Sequence, residues 1–196
     1  MKAIVPAMLF SILAGSVHAQ VINVAFERGD SPYGGPTPNY TGSVGFAGVW
    51  NQVGSVSVAN LRRWDGASTP ISLTISNGID GCANHFDSPF TYGDTPETTG
   101  EDASILDDWY STGAIEAEFL FEGLEPGEYV VHTIIPPLQC ATPTVEVVGS
   151  PDPARTVTAD WSGVYVEGQS YARHRKRFPT AGSASSCGPF WPTTSS

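Results

Sequence analysis

From Thr69 to Ser76 the chain reads TPISLTIS, so Ile71, Leu73 and Ile75 recur at every second position. Side chains of a strand point alternately to opposite faces, and this spacing builds one apolar face and one polar face. The same period appears in VINVAFE (Val21 to Glu27) and in YVVHTII (Tyr129 to Ile135). It appears again where Ile115, Ala117, Phe119 and Phe121 interleave with Glu116, Glu118, Leu120 and Glu122. Short punctuation separates the runs: Asp65-Gly66, Asn77-Gly78, Asp80-Gly81, Glu125-Pro126-Gly127-Glu128 and Pro136-Pro137. Glycine reaches left-handed backbone and proline cannot continue a ladder, so each cluster ends a strand and starts a turn. The runs on either side of Glu125 to Glu128 read as a hairpin. Further strands are expected over 44–53, 55–64, 144–148, 156–161 and 163–171, while 103–110 reads as a short helix or a strand. Eight or nine strands with a turn every eight to twelve residues and almost no helix predict an all-β fold. The expected architecture is an antiparallel β-sandwich or jelly roll.

The first 19 residues have a different character. Lys2 is followed by an apolar stretch from Ala3 to Ala14, and Val17-His18-Ala19 places small residues at −3 and −1 of a cut before Gln20. That order is the layout of a cleavable secretory signal peptide, and the apolar run is too short to span a bilayer. The expected product is exported, extracellular, periplasmic or cell-surface, with no membrane association after cleavage. One β-sandwich domain is expected over 20–171.

All 20 acidic residues lie between Glu27 and Glu167, where only Arg28, Arg62, Arg63 and Arg155 oppose them. A body that acidic repels phosphate backbones, which argues against nucleic acid as a partner. Four of the nine basic residues fall together at Arg173, Arg175, Lys176 and Arg177, followed by a Ser-, Gly- and Ala-rich stretch. Composition there predicts a disordered basic and Ser-rich tail over 172–196. A reading-frame change near Arg173 would account for a missing final strand, and a natural flexible tail is the alternative. Cys82 and Cys140 either pair as a disulfide, which export permits, or remain free thiols, with Cys187 left over.

Three segments in order carry a resemblance: VINVAFERGDSPYGGPTPNYTG…GVWNQV, then SILDDWYSTG, then FLFEGLEPGEYVVHTI followed by WSGVYVEGQSY. They resemble exported bacterial domains of the galactose-binding-like jelly-roll type, found as secreted proteins or beside glycoside hydrolases. The likeness spans about residues 21 to 171. Its most specific part is F-x-x-L-x-x-G-x-Y, here Phe121, Leu124, Gly127 and Tyr129. The resemblance implies a jelly roll, a carbohydrate or surface-polymer ligand, and a structural calcium held between loops.

The residues bear on those implications separately. Tyr33, Tyr40 and Tyr92 sit on Gly/Pro-rich loops with Asn39 and Asn84 nearby. Flat aromatic faces and flanking amides are what a pyranose needs, and plain packing is the competing use. Trp50, Trp109 and Trp161 are expected in the core. Asp30, Asp87, Asp94 and Asp102 are the candidate calcium ligands, because a hard cation takes several loop oxygens. The chain has no Asp-x-Asp-x-Asp-Gly pattern, no zinc-type spacing among His85, His132 and His174, and no nucleophile elbow. A glycosidase would need two carboxylates across a cleft, which sequence proximity of Asp102, Asp107 and Asp108 does not supply. The expected function is non-catalytic binding, with a structural or adhesive surface protein and a glycan hydrolase as alternatives.

Overall fold

The computed structural model describes residues 20–26, 35–42, 46–76, 100–106, 117–135, 142–179 and 192–195. The signal-like residues 1–19, Cys82, Cys140 and Cys187 lie outside them. Ten strands and one short helix are described: β1 (Asn23–Phe26), β2 (Trp50–Val53), β3 (Ser57–Val58), β4 (Ser72–Ser76), α1 (Ala103–Leu106), β5 (Ala117–Glu122), β6 (Gly127–Ile134), β7 (Thr144–Val147), β8 (Arg155–Thr156), β9 (Tyr171–Phe178) and β10 (Pro192–Ser195). The fold is all-β in character. Strands β3-β4-β5-β10-β7-β8 form a six-stranded sheet, β6 and β9 form a two-stranded ribbon, and β1 and β2 form a separate pair.

The β1–β2 pair is parallel, from Asn23↔Trp50 to Phe26↔Val53, which departs from the antiparallel expectation. All other pairings between the described strands are antiparallel. In β4 the alternation behaves as its sequence requires: Leu73 and Ile75 are buried, and Ser72, Thr74 and Ser76 are half-buried. These two join Val53, Leu61 and Ile71 in one core, against which Val24, Phe26, Val58 and Phe119 pack. The rings of Phe26 and Phe119 meet at 5.4 Å. The expected strand 55–64 shrinks to β3 and a single bridge between Arg62 and Ser68. The turn at Asp65-Gly66 forms as expected, with Gly66 N–H donating to Arg63 O at 2.9 Å.

The expected hairpin between Ile115–Glu122 and Tyr129–Ile135 does not form. Strand β5 pairs with β4 and β10, and β6 pairs with β9. The turn passes the chain from one sheet to another. Gly123 adopts φ +76°, and a Cβ there would lie 2.7 Å from the Pro70 carbonyl oxygen, so only glycine fits this crossing. The hydroxyl of Tyr129, at the start of β6, then reaches back 2.8 Å to the Glu125 carbonyl. A tyrosine bonded four residues upstream across a strand-to-strand corner is the tyrosine-corner device.

Residues 172–178, assigned by composition to a disordered tail, belong with Tyr171 to the long strand β9, in register with all of β6 from Ile134↔Tyr171 to Gly127↔Phe178. The expected strand at 163–171 is displaced to this position. Residues 192–195 form β10 between β5 and β7. Ala172 and His174 of β9 point inward and are buried, while Arg173, Arg175 and Arg177 share the opposite, exposed side. Ala172 completes a second core with Ile135, Val145, Val157 and Ala159. Arg175 is tied to the loop after β7: its backbone N–H and its guanidinium both donate to Asp152, at 2.7 and 2.8 Å. The Arg175 hydrogen bonds hold the Asp152 carboxyl down at about 2.

His174 is fully buried, and its Nε2 lies 3.2 Å from the Pro153 carbonyl. A carbonyl only accepts, so Nε2 carries the proton and Nδ1 carries a lone pair. That Nδ1 is buried without a partner. Protonating it would create a buried charge with no acceptor, and burial accordingly pushes the His174 pKa down, with Arg155 adding to the effect. His132 is pushed the same way, first by burial and then by Arg173. A base whose folded pKa is depressed takes up protons more readily when unfolded. Stability is therefore fully present above the unfolded value, near pH 6.5, and is lost as pH falls below it. The denaturation midpoint is expected to drop between about pH 7.5 and about pH 5, and less steeply in His174→Gln, which keeps a donor toward Pro153 but does not titrate. Equal pH slopes in the two proteins would exclude His174 as the source. The loss of Asp152 lies outside this window, between its ordinary value of 3.8 and about 2.

Candidate functional site

Three distant segments converge on one cluster of aromatic rings and a carboxylate. The segment 35–42 is shaped by a tight turn in which Tyr40 N–H donates to Thr37 O at 3.0 Å. A single 3-10 turn, Gly100–Asp102, leads into α1, whose four residues are all buried and fix the turn in place. The third segment precedes β9 and carries Trp161 and Tyr165. Glu101 Oε1 accepts the Thr37 N–H at 2.8 Å and joins the first two segments.

The Tyr40 hydroxyl lies 2.6 Å from Asp102 Oδ1 and 2.7 Å from the Tyr165 hydroxyl. An ionised carboxylate only accepts, so Tyr40 donates its single proton to Asp102 and accepts from Tyr165. The chain of hydroxyls is thereby ordered toward Asp102. Burial, then the Asp102 hydrogen bond, pushes the Tyr40 pKa far above the phenol range. Tyr165 is pushed up chiefly by burial, and the Asp102 charge adds to it. Both phenols stay protonated at neutral pH. Around them, Trp50 donates from Nε1 to the Tyr40 carbonyl at 3.3 Å, and its ring lies 5.7 Å from that of Tyr40. Trp161 meets Tyr165 edge-on at 4.9 Å. All four rings are half-buried, and Asn39 and Thr37 beside them are exposed.

This arrangement brings together Tyr40 and Asp102, two residues singled out for different chemistry. The Tyr40 hydroxyl is engaged inside the cluster, with Asp102 and Tyr165. Asp102 accepts the Tyr40 proton on Oδ1. Asn39 is exposed and lies at the rim, its backbone N–H donating to Thr37 Oγ1 at 3.4 Å. Tyr33, Asn84, Tyr92, Asp30, Asp87 and Asp94 lie outside the described residues. Among the described residues no group of three or more His, Cys, Asp or Glu is placed to hold a metal. Tyr165 was absent from the sequence-level candidates, and Trp50 and Trp161 prove to be half-buried lining rather than core. A separate open groove of about 330 Å3 is lined by Arg155, Thr156, Glu167, Gly168 and Ala172. It offers one cation, one carboxylate and one hydroxyl.

Among the described residues, no helix is long and apolar enough to cross a membrane. The chain matches no family model, no curated protein and no solved structure. Any functional reading therefore stands on the residues and their geometry.

Proposed function

We propose that this chain is an exported, non-catalytic binding module of β-sandwich type whose ligand is a carbohydrate or a cell-surface polymer. The observation that carries the reading is the cluster of Tyr40, Trp50, Trp161 and Tyr165, half-buried and locked by hydroxyl bonds to Asp102. Rigid aromatic rings lose little entropy on binding, and the half-exposed faces suit the C–H surface of a sugar ring. Thr37 and Asn39 at the rim supply polar groups for hydroxyls. Calcium would act as a structural ion in this reading, held by loop carboxylates.

The test is a pull-down of the processed protein with a panel of insoluble polysaccharides, with and without calcium. Retention on one polymer, reduced in Trp161→Ala and in Asn39→Ala, is the expected result. No retention on any polymer, from protein with a β-rich circular dichroism spectrum, would refute the reading.

A second reading, a structural or adhesive surface protein, is favoured by the β6–β9 ribbon. One side of it pairs Glu128 with Arg177, Val130 with Arg175 and His132 with Arg173. Val130 is 52% exposed there, between arginines. If polymer binding fails, substitutions on this face become the next to test.

A further inference from the structure

Gln20 is the first residue after the signal-like segment, and its side chain enters the tyrosine corner. Its Oε1 accepts the Glu125 N–H at 3.2 Å and faces the Tyr129 hydroxyl at 2.5 Å. Tyr129 has a second acceptor in the Glu125 carbonyl at 2.8 Å, so its one proton can swing toward whichever oxygen is more negative. Among the described residues the Gln20 amide nitrogen takes part in no hydrogen bond. The fold thus holds the carbonyl oxygen of this side chain and leaves its leaving-group nitrogen free.

We infer that the tyrosine corner promotes conversion of an N-terminal Gln20 to pyroglutamate once the chain is cut after Ala19. The liberated α-amine of Gln20 attacks Cδ of its own side chain. A bond forms between the α-nitrogen and Cδ, and negative charge collects on Oε1 in the tetrahedral intermediate. Two donors already aimed at that oxygen stabilise the charge as an oxyanion hole does. The Cδ–Nε2 bond then breaks, a proton passes from the α-nitrogen to Nε2, and ammonia leaves. The former Oε1 becomes the lactam carbonyl and keeps its two donors, so the product retains the anchor at the corner. No oxidant or co-reactant is needed. Burial and the Glu125 charge raise the Tyr129 pKa and keep it a donor at neutral pH. The consequence is a mature terminus without a free amine, closed to aminopeptidases and docked against the chain crossing between β5 and β6.

The full chain, with its own first 19 residues, is expressed in an exporting bacterial host and the processed protein is purified cold. Mass spectrometry of the N-terminal peptide follows the loss of ammonia with time, in native buffer and in denaturant at the same pH and temperature. The expected result is a chain starting at residue 20 that cyclises about tenfold faster folded than unfolded. Tyr129→Phe, checked for fold by circular dichroism, is expected to bring the folded rate close to the unfolded one. A start at any other residue, or equal rates folded and unfolded, would overturn the inference. So would a folded Tyr129→Phe protein that cyclises as fast as wild type.

Discussion

Leu73→Ala is expected to cost about 2–5 kcal/mol of folding stability, the range for emptying a buried leucine site. Leu73 has no exposure and is the second residue of β4. Val58 lies across from it on β3 and Phe121 on β5, so three strands lose contacts when its side chain goes. A domain of this size is stable by roughly 5–15 kcal/mol, and the loss is a large share of that. Ser72→Ala, one residue away on the opposite face, is expected to change stability by no more than about 0.5 kcal/mol. Denaturant unfolding of the two variants measures the difference as a shift in midpoint. A strand slipped by one residue would exchange the two faces. Similar costs for both variants would therefore contradict the register of β4.

Tyr40→Ala is expected to cost about 3 kcal/mol, near the lower end for a large aromatic because the ring is only half-buried. It removes the ring packed on Trp50 and the hydroxyl between Tyr165 and Asp102 at one stroke. Tyr40→Phe separates the two effects. It keeps the ring and loses only the hydroxyl, at a cost of about 1–2 kcal/mol for hydrogen bonds that end on a charged group. Thermal or denaturant unfolding of both variants gives the comparison. If Tyr40→Phe were neutral, the ordered hydroxyl chain would contribute nothing to holding the three segments together.

Much of the first core was legible because its signal is local. Leu73 and Ile75 announce β4 by their spacing, and Phe121, Gly127 and Tyr129 mark a turn before any partner is known. What the spacing could not disclose was the partner of each strand. Two consecutive alternating runs with a short turn read as a hairpin, but the Tyr129 corner sends them to different sheets. Strand β9 was missed for another reason. It does alternate, but its inward positions are Ala172, His174, Lys176 and Phe178, of which two are ionisable. Lys176 is accommodated inward by donating to the Val148 carbonyl at 2.9 Å, and His174 by the bond to Pro153. Neither partner is near in sequence, so composition alone reads the block as a solvated tail. The Tyr40, Asp102 and Tyr165 cluster was half legible for the same cause. Its members are 62 and 125 residues apart. No periodicity links positions so far separated, and Tyr165 sits in a segment that looks like ordinary strand.

The placement of β10 bears on the order in which this chain can fold. A polypeptide leaving a ribosome or a translocation pore appears from its amino end, yet the middle position of the six-stranded sheet belongs to residues 192–195. Until those residues emerge, β3-β4-β5 and β7-β8 are two fragments with facing unpaired edges. The ribbon imposes a similar wait, since β6 has no partner until β9 arrives. Such late, long-range closure slows folding. A nascent polypeptide that cannot complete its sheet stays loose, which is the state that threading through a pore requires.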